Sequence, residues 1–334
     1  MTTTDSPPAA PPSRARRSAR RSNSADTERG FSRVFRWIAT GSGALLLLVL
    51  AAVALFLIVR GLPALTASPE ELTKDGGLPD GMDSLWDLVG PLVFGTLLAS
   101  AMALLLATPV AIGIALFISH YAPRRAASVI GYIIDLLAAI PSVVFGLWGA
   151  RTLAPVISDF WVWLGGVLDF LPFWTVNVTN TGRSLATASV VLAVMILPII
   201  TAVSREVFLQ TPKLHEEAAL ALGATRWEMV RTAVLPFGRS GVISAAMLGL
   251  GRALGETMAV LMILSPGLLF SFQIFDSGQQ QTIAAFIASR FAEASGLEVN
   301  VLIATGLSLF VITMVVNMAA RAIVARRKEF SGAN

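Results

Sequence analysis

Residues 211–237 read TPKLHEEAALALGATRWEMVRTAVLPF, a moderately polar stretch between strongly apolar segments. The helix-capping and helix-ending residues of this stretch predict a short helix followed by a tight turn. Thr211 is suited to cap this helix, with Pro212 at the first helical position, where no amide donor is needed. Gly223 is suited to end it, because glycine tolerates a positive φ.

The same kinds of residue predict a second short helix. Thr225 can cap it, and Glu228 three residues later completes a T-x-x-E capping box. Pro236 is expected to close it, because proline interrupts a helix interior. The stretch is therefore predicted as helix, glycine turn, helix, which on spacing alone is typical of an ordinary surface hairpin.

A DNA-binding helix-turn-helix has a similar outline. The charge of the segment argues against that function. Residues 205–239 carry five basic and four acidic side chains, so the net charge is +1. This charge is too small for a footprint on a phosphate backbone, and no nucleic-acid partner is expected.

The composition indicates a polytopic membrane protein. Of the 334 residues 55% are hydrophobic and 14% are charged, against about 25% charged in soluble domains. The absence of cysteine excludes disulfides and thiolate chemistry, and two histidines, His120 and His215, do not make a His-rich metal site. No G-x4-G-K-[ST] motif occurs. If ATP drives this protein, ATP and Mg are therefore used by a partner subunit, and we expect no cofactor on this chain.

Apolar runs predict an all-α protein with six transmembrane helices. The first run, residues 38–59, has no charge, and 22 residues rising about 1.5 Å each cross the roughly 30 Å hydrocarbon core. The predicted spans are 37–60, 91–119, 126–150, 184–204, 241–264 and 301–320.

The remaining segments are predicted as tails and loops. Residues 1–36 are expected to be a disordered basic tail, 61–90 an extracytoplasmic loop, and 323–334 a C-terminal tail. With the N-terminus inside, 19 Lys and Arg residues lie on the cytoplasmic side and five outside. The positive-inside rule then predicts that both termini and the loop 205–240 are cytoplasmic.

The order Glu217-Ala218-Ala219, Gly223 and Leu235-Pro236 resembles the EAA loop of ABC importer permeases, EAA-x3-G-x9-I-x-LP. Ala233 stands where that pattern has isoleucine. In that family the loop faces the cytoplasm and docks on the ATP-hydrolysing subunit. The resemblance implies a docking surface that contains Glu216, Glu217, Ala218, Ala219, Gly223, Arg226, Leu235 and Pro236.

Three ionisable residues lie deep in the predicted spans: Asp135, Arg252 and Glu256. Arg252 and Glu256 are four residues apart, so that they could pair on one helical face, and Asp135 lies at a similar depth. One interpretation is an ion-pair network that fixes helix packing. The other is a path for an anion, with Arg252 as its positive element, because a buried guanidinium suits phosphate or carboxylate.

The segment GLGRALGETMAV, residues 249–260, resembles permeases of the phosphate-specific ABC importer, PstC type. GTLLAS at 95–100, ATPVAIGIALFIS at 107–119 and AAIPSVVFGLWG at 138–149 are also similar to that family. The resemblance implies that Arg252 and Glu256 serve phosphate translocation. Asp135 and Thr257 complete the candidate set.

The resemblance also implies an assembly. It comprises a type I ABC importer permease core at 91–322, a PstA-type permease as heterodimer partner, two PstB-type ATPase subunits and a secreted PstS-type phosphate-binding protein. The chain would be a non-enzymatic, multi-pass subunit in contact with lipid in the bacterial inner membrane. The alternatives are a permease for another oxyanion, such as sulfate or molybdate, and a membrane sensor or scaffold that transports nothing.

Overall fold

The computed structural model of the chain describes residues 14–75, 77–79, 81–167 and 181–328. The described residues form thirteen α-helices and three π-helical turns. The α-helices are α1 Arg14–Thr66, α2 Pro69–Lys74, α3 Leu85–Leu116, α4 Arg124–Ala138, α5 Ser142–Trp148, α6 Ala154–Val167, α7 Leu185–Leu209, α8 Lys213–Ala221, α9 Arg226–Met229, α10 Leu235–Leu254, α11 Met258–Ile263, α12 Ile283–Arg290 and α13 Leu297–Lys328. The π-helical turns are Phe117–Tyr121, Gly149–Leu153 and Val230–Val234.

The described chain contains five helices long and apolar enough to cross a membrane, and six if one bent pair counts as a span. The predicted number of six spans therefore requires that the bent pair crosses the membrane. The five long helices are Phe35–Thr66, Leu85–Tyr121, Leu185–Leu209, Arg226–Leu254 and Leu297–Ala322, and the bent pair is Arg124–Ala138 with Ser142–Val167.

The N-terminal boundaries differ from the predictions. Helix α1 begins at Arg14, so residues 14–36 are helical rather than disordered. Arginine and alanine are good helix formers, and no proline separates this segment from the apolar run that follows it. Residues 1–13 lie outside the described part of the chain. The predicted loop 61–90 is shorter, because α1 extends to Thr66 and α3 starts at Leu85.

The chain divides into two compact units, residues 1–56 and 57–334, and the packing described here is that of the second unit. Its centre is α7, most of whose side chains are buried. Helix α3 packs against α7 through a stripe of small side chains at every fourth position, each 0–1% exposed: Ala99, Ala103, Ala107, Ala111 and Ala115. Small side chains let the two helix backbones approach closely, as is common between membrane helices.

The predicted third span is a broken helix. Helix α4 ends at Ala138, Pro141 precedes α5, and the axes of the bent pair differ by 91°. Proline disfavours helical conformation in the residue before it, which explains why the break falls here. The last turn of α4, residues 135–139, is exposed in this chain.

Candidate anion path and docking surface

The polar stretch that follows α7 folds as the predicted helical hairpin. Helix α8 has its C-cap at Leu222, and Gly223 follows it with φ +88°. The Gly223 amide donates to the Leu220 carbonyl at 3.0 Å, and the Ala224 amide donates to the Ala219 carbonyl at 3.2 Å. These bonds close the last turn of α8, and the positive φ explains the need for glycine.

The predicted capping box of α9 is formed. The Glu228 amide donates to Thr225 Oγ1 at 3.3 Å, and the Thr225 amide donates to Glu228 Oε2 at 2.7 Å. Each residue thus satisfies an amide of the other that the first helical turn would leave unpaired. The turn between α8 and α9 is therefore held by side chains of the hairpin itself.

The start of α8 corrects a prediction. Pro212 is the N-cap rather than the first helical residue, and α8 begins at Lys213. Thr211 does not cap α8, which has no side-chain cap hydrogen bond. The Thr211 amide belongs to the end of α7, where it donates to the Phe208 carbonyl. The Thr211 side chain is 4% exposed, and its hydroxyl has no hydrogen-bond partner among the described residues.

The prediction that Pro236 closes the second helix is wrong. The chain runs without interruption from α9 through the π turn Val230–Val234 into α10. The Leu235 amide donates to the Val230 carbonyl, five residues back. This wider turn accommodates the pyrrolidine ring, because Pro236 lacks the amide that an α-helical turn would use. The hairpin of α8 and α9 is thereby joined directly to a candidate membrane span.

The predicted docking residues separate into two groups by exposure. Glu217, Ala218, Gly223, Arg226 and Pro236 are exposed. Glu216, Ala219 and Leu235 are partly buried, the last two against a cluster formed by Ala115, Leu116, Phe208, Met229, Val230 and Val234.

Apolar side chains also face outward on the hairpin. Leu214 is 74%, Leu222 90% and Trp227 56% exposed. The hairpin thus exposes three large apolar side chains together with Glu217 and Ala218.

His120 is a contact of the hairpin that sequence reasoning missed. It lies in the π turn after α3, where its Nδ1 is 2.7 Å from Ser119 Oγ and its Nε2 is 3.5 Å from Glu216 Oε1. This contact joins α8 to the end of the second span. No spacing pattern could have found it, because the two partners are far apart in the sequence.

The fifth span is broken beside its charged residues. Helix α10 ends at Leu254 and α11 starts at Met258. Glu256 is 8% exposed, and its Oε1 accepts the Ala259 amide at 3.1 Å. Thr257 Oγ1 donates to the Gly255 carbonyl at 3.2 Å. Glu256 thus binds an amide of the first turn of α11, as a capping residue does.

The predicted pair of Arg252 with Glu256 is not formed. No ion pair of Arg252 occurs among the described residues, and its Nε is buried without a hydrogen-bond partner there. Of the two interpretations left open by the sequence, the ion pair depends on i, i+4 geometry in a continuous helix, and the helix ends at Leu254, between the two residues. Asp135 does not join them either, and its side chain is exposed on α4.

Two further features bear on what the site holds. The described residues contain no group of three or more His, Cys, Asp and Glu side chains that could bind a metal ion. A cavity of about 630 Å³ includes none of Asp135, Arg252, Glu256 and Thr257 in its lining, which consists of Pro63, Thr66, Ala67, Glu71, Asp75, Ser295, Gly296 and Leu297. Beside it, hydrogen bonds from the Ser68 amide and hydroxyl hold the pKa of Glu71 below its ordinary value.

Residues 107–329 match the family of binding-protein-dependent transport system inner membrane components. Two solved structures have a similar fold. An inward-facing MetNI methionine ABC transporter gives a TM-score of 0.53 at 17% identity, covering 75% of this chain and 99% of that one. A bacterial ABC transporter for alginate import gives 0.53 at 19% identity, covering 89% and 99%. The fold is therefore that of an ABC importer permease, type I, as predicted.

Curated relatives narrow the family. The phosphate transport system permease protein PstC 2 of Mycobacterium tuberculosis is 47% identical over 306 residues, which cover 87% of this chain and 91% of that protein. PstC of Mycobacterium leprae is 48% identical over 286 residues, covering 82% and 87%. PstC of Xylella fastidiosa is 41% identical over 244 residues, covering 71% and 74%. The chain belongs to the PstC family of phosphate transport system permeases, and it is an integral protein of the inner membrane.

Proposed function

We propose that this chain is the permease subunit of an ATP-driven importer that moves inorganic phosphate into the cell. Relatives that match most of the chain are named phosphate transport system permease proteins. Arg252 supports the same substrate class. Burying a guanidinium nitrogen without an acceptor is costly, and a transported oxyanion would supply that acceptor.

Arg252 is the observation that carries this proposal. If its role were to fix helix packing through an ion pair, a carboxylate should lie within reach, yet none pairs with it in the described chain. Glu256 instead binds the first turn of α11. The guanidinium is therefore available for a ligand, with Glu256 and Thr257 shaping the break beside it.

The proposed assembly follows the family. A PstA-type permease would complete the membrane path, two PstB-type subunits would use ATP and Mg, and a PstS-type protein would deliver phosphate. The exposed face of α8 and α9 supports docking of an ATPase subunit, because apolar side chains there are left uncovered. The continuous helix from α9 into α10 supports coupling, since a push on the hairpin would act directly on the span that holds Arg252.

The proposed function is tested by uptake. Cells that lack other phosphate importers and produce this chain with its partner subunits should accumulate labelled phosphate. Unlabelled phosphate should compete, and equimolar sulfate or molybdate should not. A matched strain with Arg252→Gln should show normal amounts of the chain and little uptake.

Two results would contradict the proposal. Uptake of sulfate or molybdate in preference to phosphate would indicate a permease for another oxyanion. Absence of any oxyanion uptake by the fully assembled complex would favour a sensor or scaffold.

A further inference from the structure

Helix α7 carries a face of polar groups that the candidate site does not include. Thr201 and Ser204 are 0% exposed, and neither hydroxyl has a hydrogen-bond partner among the described residues. Arg205 is half-buried, and its Nε is buried without a partner. The three residues stand at i, i+3 and i+4, so they share one face of the helix.

Thr108 Oγ1 of α3 is also buried without a partner among the described residues, but four other buried hydroxyls in the spans behave differently. They donate to a carbonyl one turn back: Thr96 to Leu92 at 2.7 Å, Ser100 to Thr96 at 2.7 Å, Ser189 to Leu185 at 2.8 Å and Thr305 to Val301 at 2.9 Å. Thr201 and Ser204 could use the same bond but do not. Because buried polar groups are nearly always paired, these two hydroxyls indicate a partner that the described part of the chain does not supply.

The Arg205 guanidinium packs against a glycine of α4. A methyl group added at Gly131 of α4 would come within 2.9 Å of Arg205 Nη1, so the guanidinium lies directly on the α4 backbone. No ion pair of Arg205 occurs in the described chain. A guanidinium donates only, and a hydroxyl can donate to an acceptor, so this face presents hydrogen-bond donors to one ligand. Such a set fits a tetrahedral oxyanion.

The register of α10 places this face in line with Arg252. A methyl group at Gly249 of α10 would meet Ile200 of α7 at 2.8 Å, and one at Gly238 would meet Phe208 at 2.7 Å, so the two helices run antiparallel. Arg252 lies three residues beyond Gly249, within about one helical turn of Thr201 along the axis. Arg205 lies one further turn, about 6 Å, towards the end of α7 that joins the docking hairpin.

We infer that Thr201, Ser204 and Arg205 form a second oxyanion station, between Arg252 and the hairpin end of α7. This inference rests on the proposed function and names a further binding site on the same route. The station is closed here, because the hydroxyls are fully buried. It opens when α4 and α10 move away from α7 during transport.

Single cysteines test the station, because the natural chain has none. Thr201→Cys and Ser204→Cys are close in size to the natural residues. Ser189→Cys is the matched control on the same helix, with equal burial and a hydroxyl already bonded. The variants are studied in inverted membrane vesicles that contain the complete transporter hydrolysing ATP. They are treated with an anionic or a cationic methanethiosulfonate of similar size.

We expect Thr201→Cys to react several-fold faster with the anionic reagent, since a buried cation attracts negative charge. Added phosphate should slow that reaction several-fold. Arg205→Gln in the same background should remove the preference for the anionic reagent, and Arg205→Lys should retain it. Arg239→Gln, at an exposed position of α10, should change neither rate. Ser189→Cys should show no phosphate protection.

Equal rates for the two reagents, no reaction during turnover, or no protection by any oxyanion would overturn the station. Thr201→Cys alone decides this if Arg205→Gln fails to fold. Protection by sulfate but not by phosphate would leave the station standing and remove the proposed phosphate function. Phosphate uptake by the natural chain without protection of either cysteine would leave the proposed phosphate function standing and overturn the station.

Discussion

At the scale of single residues, the two charges in the fifth span form no ion pair with each other in the described chain. Glu256 binds an amide of α11, and Arg252 is left without a protein acceptor in the described chain. The break at residues 255–257 lies between the two residues, so the i, i+4 relation of a continuous helix does not apply to them. The electrostatic energy of a direct pair is therefore absent from the stability of the span.

Arg252→Gln and Glu256→Gln should accordingly act independently. Arg252→Gln should assemble and lose uptake by about ten- to hundredfold, the equivalent of a charge-assisted hydrogen bond of about 1.5–3 kcal/mol. Glu256→Gln keeps an oxygen that can accept the Ala259 amide, so the amount of folded chain should fall little. The double variant should remain inactive in the uptake assay at normal abundance.

Recovery of uptake in that double variant would show instead that the two residues pair in the working protein. Immunoblotting of the membrane fraction provides the control for abundance in all three strains.

At this scale, the sequence could predict contacts between residues that are close together along the chain. The Thr225–Glu228 capping box was predictable, because both partners lie within one turn. The choice between an Arg252–Glu256 pair and an anion path could not be made from the sequence, since the pair requires a continuous helix across Gly255. The contact of His120 with Glu216 and the unpaired face of α7 depend on tertiary packing, which no local pattern contains.

At the scale of elements, the hairpin α8–α9 combines a rigid turn with an uncovered surface. Gly223 has φ +88°, and an added Cβ would meet no atom of the described residues within 4 Å. A side chain at this position would therefore strain the backbone without colliding with the rest of this chain. Any further effect of side-chain size would report a neighbour that belongs to another subunit.

Three substitutions separate these effects. Gly223→Ala and Gly223→Asn should reduce coupling moderately, with Asn the milder, because a left-handed conformation costs most L residues about 1–2 kcal/mol and asparagine less. Gly223→Leu should be clearly worse than Gly223→Ala if an ATPase subunit docks on the turn. The measurement is phosphate transported per ATP hydrolysed, with co-purification of the ATPase. Equal values for Ala and Leu would place the turn outside the contact.

Prolines show why helix boundaries were only partly predictable. Pro141 lies at a break, whereas Pro236 lies inside a continuous helix, and Pro109 and Pro198 lie within α3 and α7. In a membrane the carbonyls freed by proline can be satisfied by neighbouring helices and local π adjustments. Whether a helix breaks or continues at a proline therefore depends on how the helix packs against its neighbours, which the proline alone does not predict.

At the scale of the whole molecule, the fold class was the most predictable property. A bilayer requires about 20 apolar residues for each crossing, so the runs of such residues nearly determine the number of spans. The 91° bend of the third span and the central position of α7 were not predictable. Both depend on which helix faces find partners.

The orientation of the chain remains a prediction that chemical labelling checks. With both termini in the cytoplasm, a cysteine at the exposed position Thr225 should be shielded from an impermeant thiol reagent in intact cells, and one at Thr73 should react. Opening the cells with detergent should make both reactive, which controls for burial. Labelling of Thr225→Cys from outside would reverse the topology and remove the basis for cytoplasmic docking.

The exposed end of α4 has a consequence for the life of the newly made chain. Asp135 and the last carbonyls of a broken helix would face lipid if the chain stayed alone, and a carboxylate near the bilayer centre costs roughly 2.5–3.5 kcal/mol. In cells, proteins of reduced stability are degraded by proteases more rapidly. We expect the chain made without the second permease to have a much shorter half-life in pulse-chase labelling, and Asp135→Leu to prolong it. Equal half-lives with and without the second permease would mean that this end finds cover within a single chain.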